Sequence, residues 1–173
     1  RSIYNSMTSR LLVDKIEGKT TSSTVQMPSG HIVQSVSFDR AGSSTSAVST
    51  LASLSSSSFV DVMSKSITTK LASSKIFVSI DIVAYDGSNN MRIKTKFLRD
   101  STEINGDAYA FYGPSSIMYN NVFSMLDSPS VSAGTTLTYK LQAAVTGGST
   151  TAIGYGDSGG GSNANITLME IAQ

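Results

Sequence analysis

The sequence contains no cysteine. That absence removes disulfides, zinc–thiolate sites and cysteine nucleophiles together, and it speaks against a disulfide-stapled secreted scaffold. Charge is scarce too: Asp, Glu, Lys and Arg make up 14% of 173 residues, with a formal net charge of +1. No run of Lys and Arg occurs, so the electrostatic footprint of a nucleic-acid binder is missing and no nucleic-acid partner is expected. No apolar stretch approaches the ~18 residues that span a bilayer, and no membrane insertion is expected. A single histidine, His31, offers no partners for a zinc site and reads as a structural residue. The first residues lack a signal-peptide pattern, while Arg in first place leaves removal of an earlier segment open.

Hydroxyls take the place of charges. Ser and Thr exceed a quarter of the chain, which suits solvent-facing strand positions alternating with apolar ones. The length fits one domain with a short extension. Residues 1–30 hold only two small apolar patches, Leu11–Val13 with Ile16 and Val25 with Met27. They read as an extended lead-in, closed by the turn Pro28-Ser29-Gly30. From His31 the pattern is that of strands. HIVQSVSF (31–38) alternates Ile32, Gln34, Val36 and Phe38 against Val33, Ser35 and Ser37. Segment 41–58 reads as a polar loop with an edge strand at Val48–Leu51. FVDVM (59–63) and SITTKL (66–71) read as two short strands. KIFVSIDIVAY (75–85) is the strongest strand, with Ile76, Val78, Ile80 and Ile82 on one face. YDGSNN (85–90) reads as a hairpin loop, and 91–99 returns with Met91, Ile93, Thr95 and Phe97 on one side. Two strands flank Gly113-Pro114, and 135–145, 150–156 and 165–172 complete the set. About ten strands at 8–15-residue spacing and no helix predict an all-β jelly-roll sandwich.

Residues 154–161, GYGDSGGG, contain a string that surrounds the nucleophile in trypsin-like serine proteases. The order His31, aspartates, Ser158 is available, but the architecture opposes it. Only about thirty residues precede His31, where that family needs most of a first barrel. Only Gly161–Gln173 follow, enough for one strand of a second. A glycine-rich turn between strands explains the string without catalysis. No catalytic residue and no enzyme activity are expected.

Asp86-Gly87-Ser88-Asn89-Asn90 has the letters of a calcium loop but lacks its spaced acidic ligands and terminal Glu; no metal and no cofactor are expected. Asn165-Ile166-Thr167 is a formal glycosylation sequon inside a strand, and no glycan is expected there. Tyr85, Tyr109, Tyr112, Tyr119 and Tyr155 fall at loops or strand ends, as rim packing or as a stacking surface for sugars or a receptor.

Three stretches carry a resemblance. LLVDKIEGKTTSSTVQMPSGHIVQ (11–34) is similar to the lead-in of tail-fibre-like proteins of marine, cyanophage-type bacteriophages. SITTKLASSKIFVSIDI (66–82), LDSPSVSAGTTLTYKLQ (126–142) and SNANITLMEIAQ (162–173) resemble the head domain that follows it. That domain is similar in strand pattern to the trimeric jelly rolls of tumour necrosis factor and the complement globular head. The resemblance implies a homotrimer with the last strand near the three-fold axis, in a virion assembled in the host cytoplasm. It implies an anchor at residues 1–30 that contacts other virion tail or capsid proteins, and a head at 31–173 that meets a host surface glycan or protein. The tip is expected at loops 85–90, 109–115 and 155–161, through Tyr85, Asp86, Asn89, Asn90, Tyr109, Tyr112, Tyr155 and Asp157. The subunit contact is expected at Ile166, Leu168, Met169, Glu170 and Ile171, since this strand is apolar on both faces, with Arg92 and Lys94 beside it. Alternation puts Glu170 with Ile166 and Leu168; it either takes a cation, Arg92, Lys94 or Lys96, or reaches solvent near the chain end. A capsid or head decoration protein, and a cellular signalling or lectin-like jelly roll, are the alternatives.

Overall fold

The computed structural model describes residues 28–40, 52–54, 57–86, 91–113, 118–147, 151–153 and 164–173. Period-2 alternation dominates these segments, and each becomes a strand: β1 (Ile32–Arg40), β2 (Ala52–Leu54), β3 (Val60–Thr68), β4 (Lys75–Asp86), β5 (Met91–Arg99), β6 (Thr102–Gly113), β7 (Met118–Asp127), β8 (Thr136–Gly147), β9 (Thr151–Ile153) and β10 (Ala164–Ile171). No helix occurs among the described residues. The residues expected to form the lead-in lie almost wholly outside them.

The strands form two antiparallel sheets. A six-stranded sheet runs β1-β10-β4-β9-β2, with β7 on the other flank of β4, and a four-stranded sheet runs β3-β8-β5-β6. Setting aside the three-residue β2 and β9, the eight long strands in chain order read 1-8-3-6 in one sheet and 2-7-4-5 in the other. Successive long strands cross between sheets except at the β5–β6 hairpin. This is the jelly roll that the spacing predicts.

Inward residues from both sheets make one core: Ile76, Val78, Ile80 and Ile82 of β4 and Ile166 and Leu168 of β10 face Ile93 and Phe97 of β5 and Leu137, Tyr139 and Leu141 of β8. Each fully buried Ile or Leu contributes about 1.5–3 kcal/mol. Phe97 meets Phe123 edge-on, with centroids 5.6 Å apart, so the contact bridges the two sheets.

Two expectations change in detail. Segments 59–63 and 66–71 are one strand, β3, because a bulge at Asp61/Met63 lets both Val62 and Met63 face inward before pairing with β8 resumes. A short edge strand lies at Ala52–Leu54, where it pairs with β9; the edge strand expected at Val48–Leu51 falls outside the described residues. In β1 a bulge between Ile32 and Gln34 shifts the alternation. Gln34 and Val36 face the core side, but Ile32 is turned out and 52% exposed.

The sandwich has two unlike ends. At one, Gly30 N–H donates to Ala172 O (2.8 Å) and Ala172 N–H to His31 O (2.9 Å), so chain entry and exit lie side by side. The Pro28-Ser29-Gly30 turn stands here, Gly30 at φ +84° and His31 N–H bonded back to Pro28 O. Connections 69–74 and 128–135 are tied to each other by Thr69 N–H to Thr135 O, Ser73 N–H to Val131 O and Gly134 N–H to Thr69 O. At the other end lie Arg40, Val60, Asp86, Met91, Gly113, Met118, Gly147 and Ala164. The β5–β6 turn, by contrast, lies at the entry end, where Asp100 N–H donates to Thr138 O at 2.7 Å.

A buried carboxylate and a half-buried one close the entry end. Glu170 is fully buried on the core face of β10, so it neither reaches solvent nor meets Arg92, Lys94 or Lys96. Neutral donors hold it: Lys70 N–H at 2.9 Å from both oxygens, Leu71 N–H at 2.9 Å, Ser74 Oγ at 2.8 Å and Gln34 Nε2 at 2.6 Å. Burial alone pushes its pKa up, but the Leu71 and Lys70 amides, with Ser74 and Gln34, outweigh it and hold the carboxyl below its ordinary value. Gln34 spends a second hydrogen on Thr68 O at 2.7 Å. In the same row, across Ile76 of β4, Asp127 of β7 takes Arg99 Nη1 at 2.9 and 2.7 Å and the Tyr139 hydroxyl at 2.7 Å. Burial and the Asp127 carboxylate together keep the Tyr139 phenol protonated far above its ordinary range.

Candidate functional site

The order of the long strands decides which loops gather. Strands β4, β6 and β8 run toward the end opposite chain entry, and β5, β7 and β10 leave from it. The connections after β4, after β6 and before β10 therefore open at the same end. Of the segments expected to form a tip, β4 finishes at Asp86 and β6 at Gly113 at this end; segment 155–161 lies outside the described residues. Asn89, Asn90, Tyr155 and Asp157 lie outside the described residues, as does the GDSGG string.

Four other tip candidates belong to strands rather than loops. Tyr85 and Asp86 finish β4, opposite Met118 of β7 and Ala152 and Thr151 of β9. Tyr112 and Tyr109 stand on β6 in register with Arg92 and Lys94 of β5. Strand β6 thus continues through residues 109–113 of the 109–115 loop expected from Gly113-Pro114. A β-strand run through Gly113 keeps the ladder paired to Met91.

The candidates for a subunit contact separate in the same way. Ile166, Leu168 and Glu170 point into the sandwich and have no exposed surface within the single chain. Met169 and Ile171 point outward. Arg92 and Lys94 belong to the four-stranded sheet, on the opposite side of the molecule from β10, because strand periodicity carries no information on strand order.

Two outer faces result, and they differ in chemistry. On the four-stranded sheet several outward residues are polar and paired within the chain. Lys140 Nζ lies 2.8 Å from Asp61, which also accepts from Gln142 Nε2 at 2.6 Å. Those two contacts, Lys140 first, lower the Asp61 pKa. Lys96 lies 3.6 Å from Glu103 and 4.5 Å above the Phe59 ring. Hydroxyl pairs Ser66–Thr138 (2.8 Å) and Thr68–Thr136 (2.9 Å) continue the face.

The outer face of the six-stranded sheet is more apolar. One row across it holds Ser35, Met169, Phe77 and Leu126; the next holds Ser37, Thr167, Ser79 and Ser124; a third holds Asp39, Asn165, Asp81 and Val122. Val122 and Leu126 are 63% and 55% exposed, and with Ile32 they are three of the four exposed large hydrophobics. Sequence reading found Met169 and Ile171 but missed Phe77, Val122 and Leu126. The signal was present: Phe77 and Val83 are apolar on the supposed outer face of β4, so that strand too is apolar on both sides. Asn165 sits here with its carbonyl oxygen accepting from Thr167 Oγ1 at 2.8 Å.

Among the described residues nothing assembles a protease site, and Ser158 lies outside them. His31 precedes β1 at the entry end, whereas Ala164, where the chain returns from the glycine-rich segment, pairs with Arg40 at the far end of the same strand. Among the described residues no group of three or more His, Cys, Asp and Glu could hold a metal.

No protein-family model matches the sequence, and no curated protein matches it. Solved structures do. The fold is similar to VP2 in the infectious bursal disease virus subviral particle, with TM-score 0.53 and 10% identity over 95% of this chain and 37% of that one. It is also similar to the chain of the T13 particle of the same virus, with TM-score 0.50 and 12% identity over 96% and 40%. This chain therefore spans about two fifths of those proteins. A more distant likeness is Eiger, a tumour necrosis factor of S. frugiperda, at TM-score 0.39 and 12% identity over 83% and 95%; it adds nothing to a fold that strand order already defines.

Proposed function

We propose that this chain is a non-enzymatic structural protein of a virion, and that it works as the trimeric head of a bacteriophage tail fibre attaching to the host surface. The observation that carries the reading is the polarity of the domain. Chain entry lies at one end, and the connections after β4, after β6 and before β10 open at the other. In this reading residues 1–30 anchor the domain to other tail or capsid proteins. The head, 31–173, turns its far loops toward a host glycan or protein. Tyr85, Asp86, Asn89, Asn90, Tyr109, Tyr112, Tyr155 and Asp157 are the residues proposed to meet it, and multivalency compensates for weak single contacts. The outer face of the six-stranded sheet, with Met169 and Ile171, is the proposed subunit contact. The non-enzymatic reading is supported by the separation of His31 from the strand that follows GDSGG, and Ser158→Ala is expected to change nothing.

A second reading has its own support. The likeness to VP2 chains, solved in viral particles, favours a capsid or head component of the same fold. Both readings are tested by labelling virions with an antibody to the purified chain and viewing them by electron microscopy. Label at fibre tips supports the first, label over the shell supports the second, and unlabelled particles contradict both. Attachment itself is tested on an array of bacterial surface polysaccharides. Binding that survives Ser158→Ala and is lost in Tyr109→Ala/Tyr112→Ala supports a glycan-binding tip; binding unchanged in the double variant contradicts it.

A further inference from the structure

Asp81 stands on the outer face of the six-stranded sheet, with Asn165 of β10 on one side and Val122 of β7 on the other. Its Oδ1 is buried and has no hydrogen-bond partner, and the half-buried side chain leaves its other oxygen open to the face with no partner among the described residues. The other carboxylates whose side chains are described are all answered. Asp61 has Lys140 and Gln142, Asp100 has the Thr138 N–H, Glu103 has Lys96, Asp127 has Arg99 and Tyr139, and Glu170 has its ring of neutral donors. A half-buried carboxylate without a donor gains from one supplied across the face, so Asp81 is the exception among them.

The same face holds a matching exception. Lys75 lies six positions earlier on β4, is half-buried, and has no ion pair or side-chain hydrogen bond among the described residues. At ~3.3 Å per residue the two charges stand about 20 Å apart along one extended strand, too far to meet in one molecule. Between them lie outward-facing Phe77 and Ser79, flanked in register by Met169 and Leu126, then by Thr167 and Ser124. Among the described side chains this face thus holds one uncompensated anion and one uncompensated cation on an otherwise apolar and hydroxyl-bearing surface. A surface with both halves of a salt bridge, unable to close it on itself, is complementary to another copy of itself.

We propose that Lys75 of one copy of this chain pairs with Asp81 of the next across this face, fixing the register of an apolar self-association surface. The inference deepens the oligomer reading above and rests on it. The pair supplies specificity more than affinity, since apolar rows slide unless a polar contact pins them, and an unmade pair penalises every other register.

Charge reversal tests it. Lys75→Glu and Asp81→Lys are each expected to weaken association about ten-fold or more, read as a fall in mass by light scattering at a concentration where the native chain is oligomeric. The double variant Lys75→Glu/Asp81→Lys is expected to regain the native mass, which also shows that neither change blocks folding. Mixing the two single variants separates the symmetries. In a three-membered ring good contacts would have to alternate between two kinds of subunit, and an odd ring cannot alternate, so the mixture stays dissociated. Recovery of a two-copy mass on mixing keeps the pair and replaces the three-fold axis with a two-fold. Single variants that keep the native mass, or a double variant that stays dissociated, overturn the pair while leaving the oligomer standing. A native chain that is monomeric throughout overturns the oligomer reading and the pair together.

Discussion

The two outer faces of this sandwich are built from the same strand grammar and solve opposite problems. On the four-stranded sheet the outward charges find partners within the chain: Lys140 with Asp61 and Lys96 with Glu103. Side chains arranged this way are content in water. On the six-stranded sheet the outward positions carry Phe77, Met169, Val122 and Leu126, and the two ions that interrupt them are left unmatched. Antiparallel sheets that face water on one side alternate apolar and polar residues. One sheet obeys that rule and the other breaks it, and the breach points to a surface that is covered when the protein works.

The comparison depends on the two sheets staying together, and its largest test is at their shared end. Glu170 on β10 grips the connection between β3 and β4, so it ties the six-stranded sheet to the four-stranded one. Glu170→Ala leaves the amides of Lys70 and Leu71 without an acceptor and is expected to cost about 3 kcal/mol in urea unfolding. Its folded pKa is depressed, so its contribution is present above the ordinary carboxyl value near 4.5. It is lost as pH falls below that value and through the lower folded one. The native chain should therefore lose stability on acidification in that window, and Glu170→Gln should show a shallower loss.

Next in size is a charge placed on the apolar face. Met169→Lys is expected to weaken association about a hundred-fold with little change in the stability of the single chain, because the side chain already points outward. The matched change on the other face, Leu98→Lys, is expected to leave the mass unaltered. Equal effects from the two would erase the distinction between the faces. The smallest effect belongs to the solvated ion pairs. Lys140→Ala is expected to cost less than about 1 kcal/mol in urea unfolding, since Asp61 is largely exposed and keeps Gln142.

Much of this fold was legible because strand alternation is a local property. The inward sets on β4 and β5 follow from period two, and so does the placement of Glu170 beside Ile166 and Leu168. Its partners did not follow. A buried carboxylate suggests a cation, whereas the donors are backbone amides of Lys70 and Leu71, groups every residue carries and no sequence marks. Bulges were equally silent: an irregularity between Ile32 and Gln34 turns Ile32 outward, although alternation groups it with Gln34. Arg92 and Lys94 were assigned beside β10 because strand order within a sheet leaves no trace in periodicity. Tyr109 and Tyr112 were read as loop residues because Gly113-Pro114 marks where a strand stops, not where it starts.

The claim that matters most is that the outer face of the six-stranded sheet is an oligomer contact. Light scattering on the purified chain tests it directly, with Met169→Lys and Leu98→Lys as matched variants. The account predicts a mass of about 55 kDa, three times the 18.2 kDa chain, for the native protein and for Leu98→Lys, and the mass of a single chain for Met169→Lys. A native protein of single-chain mass, or a trimer indifferent to Met169→Lys, would contradict it.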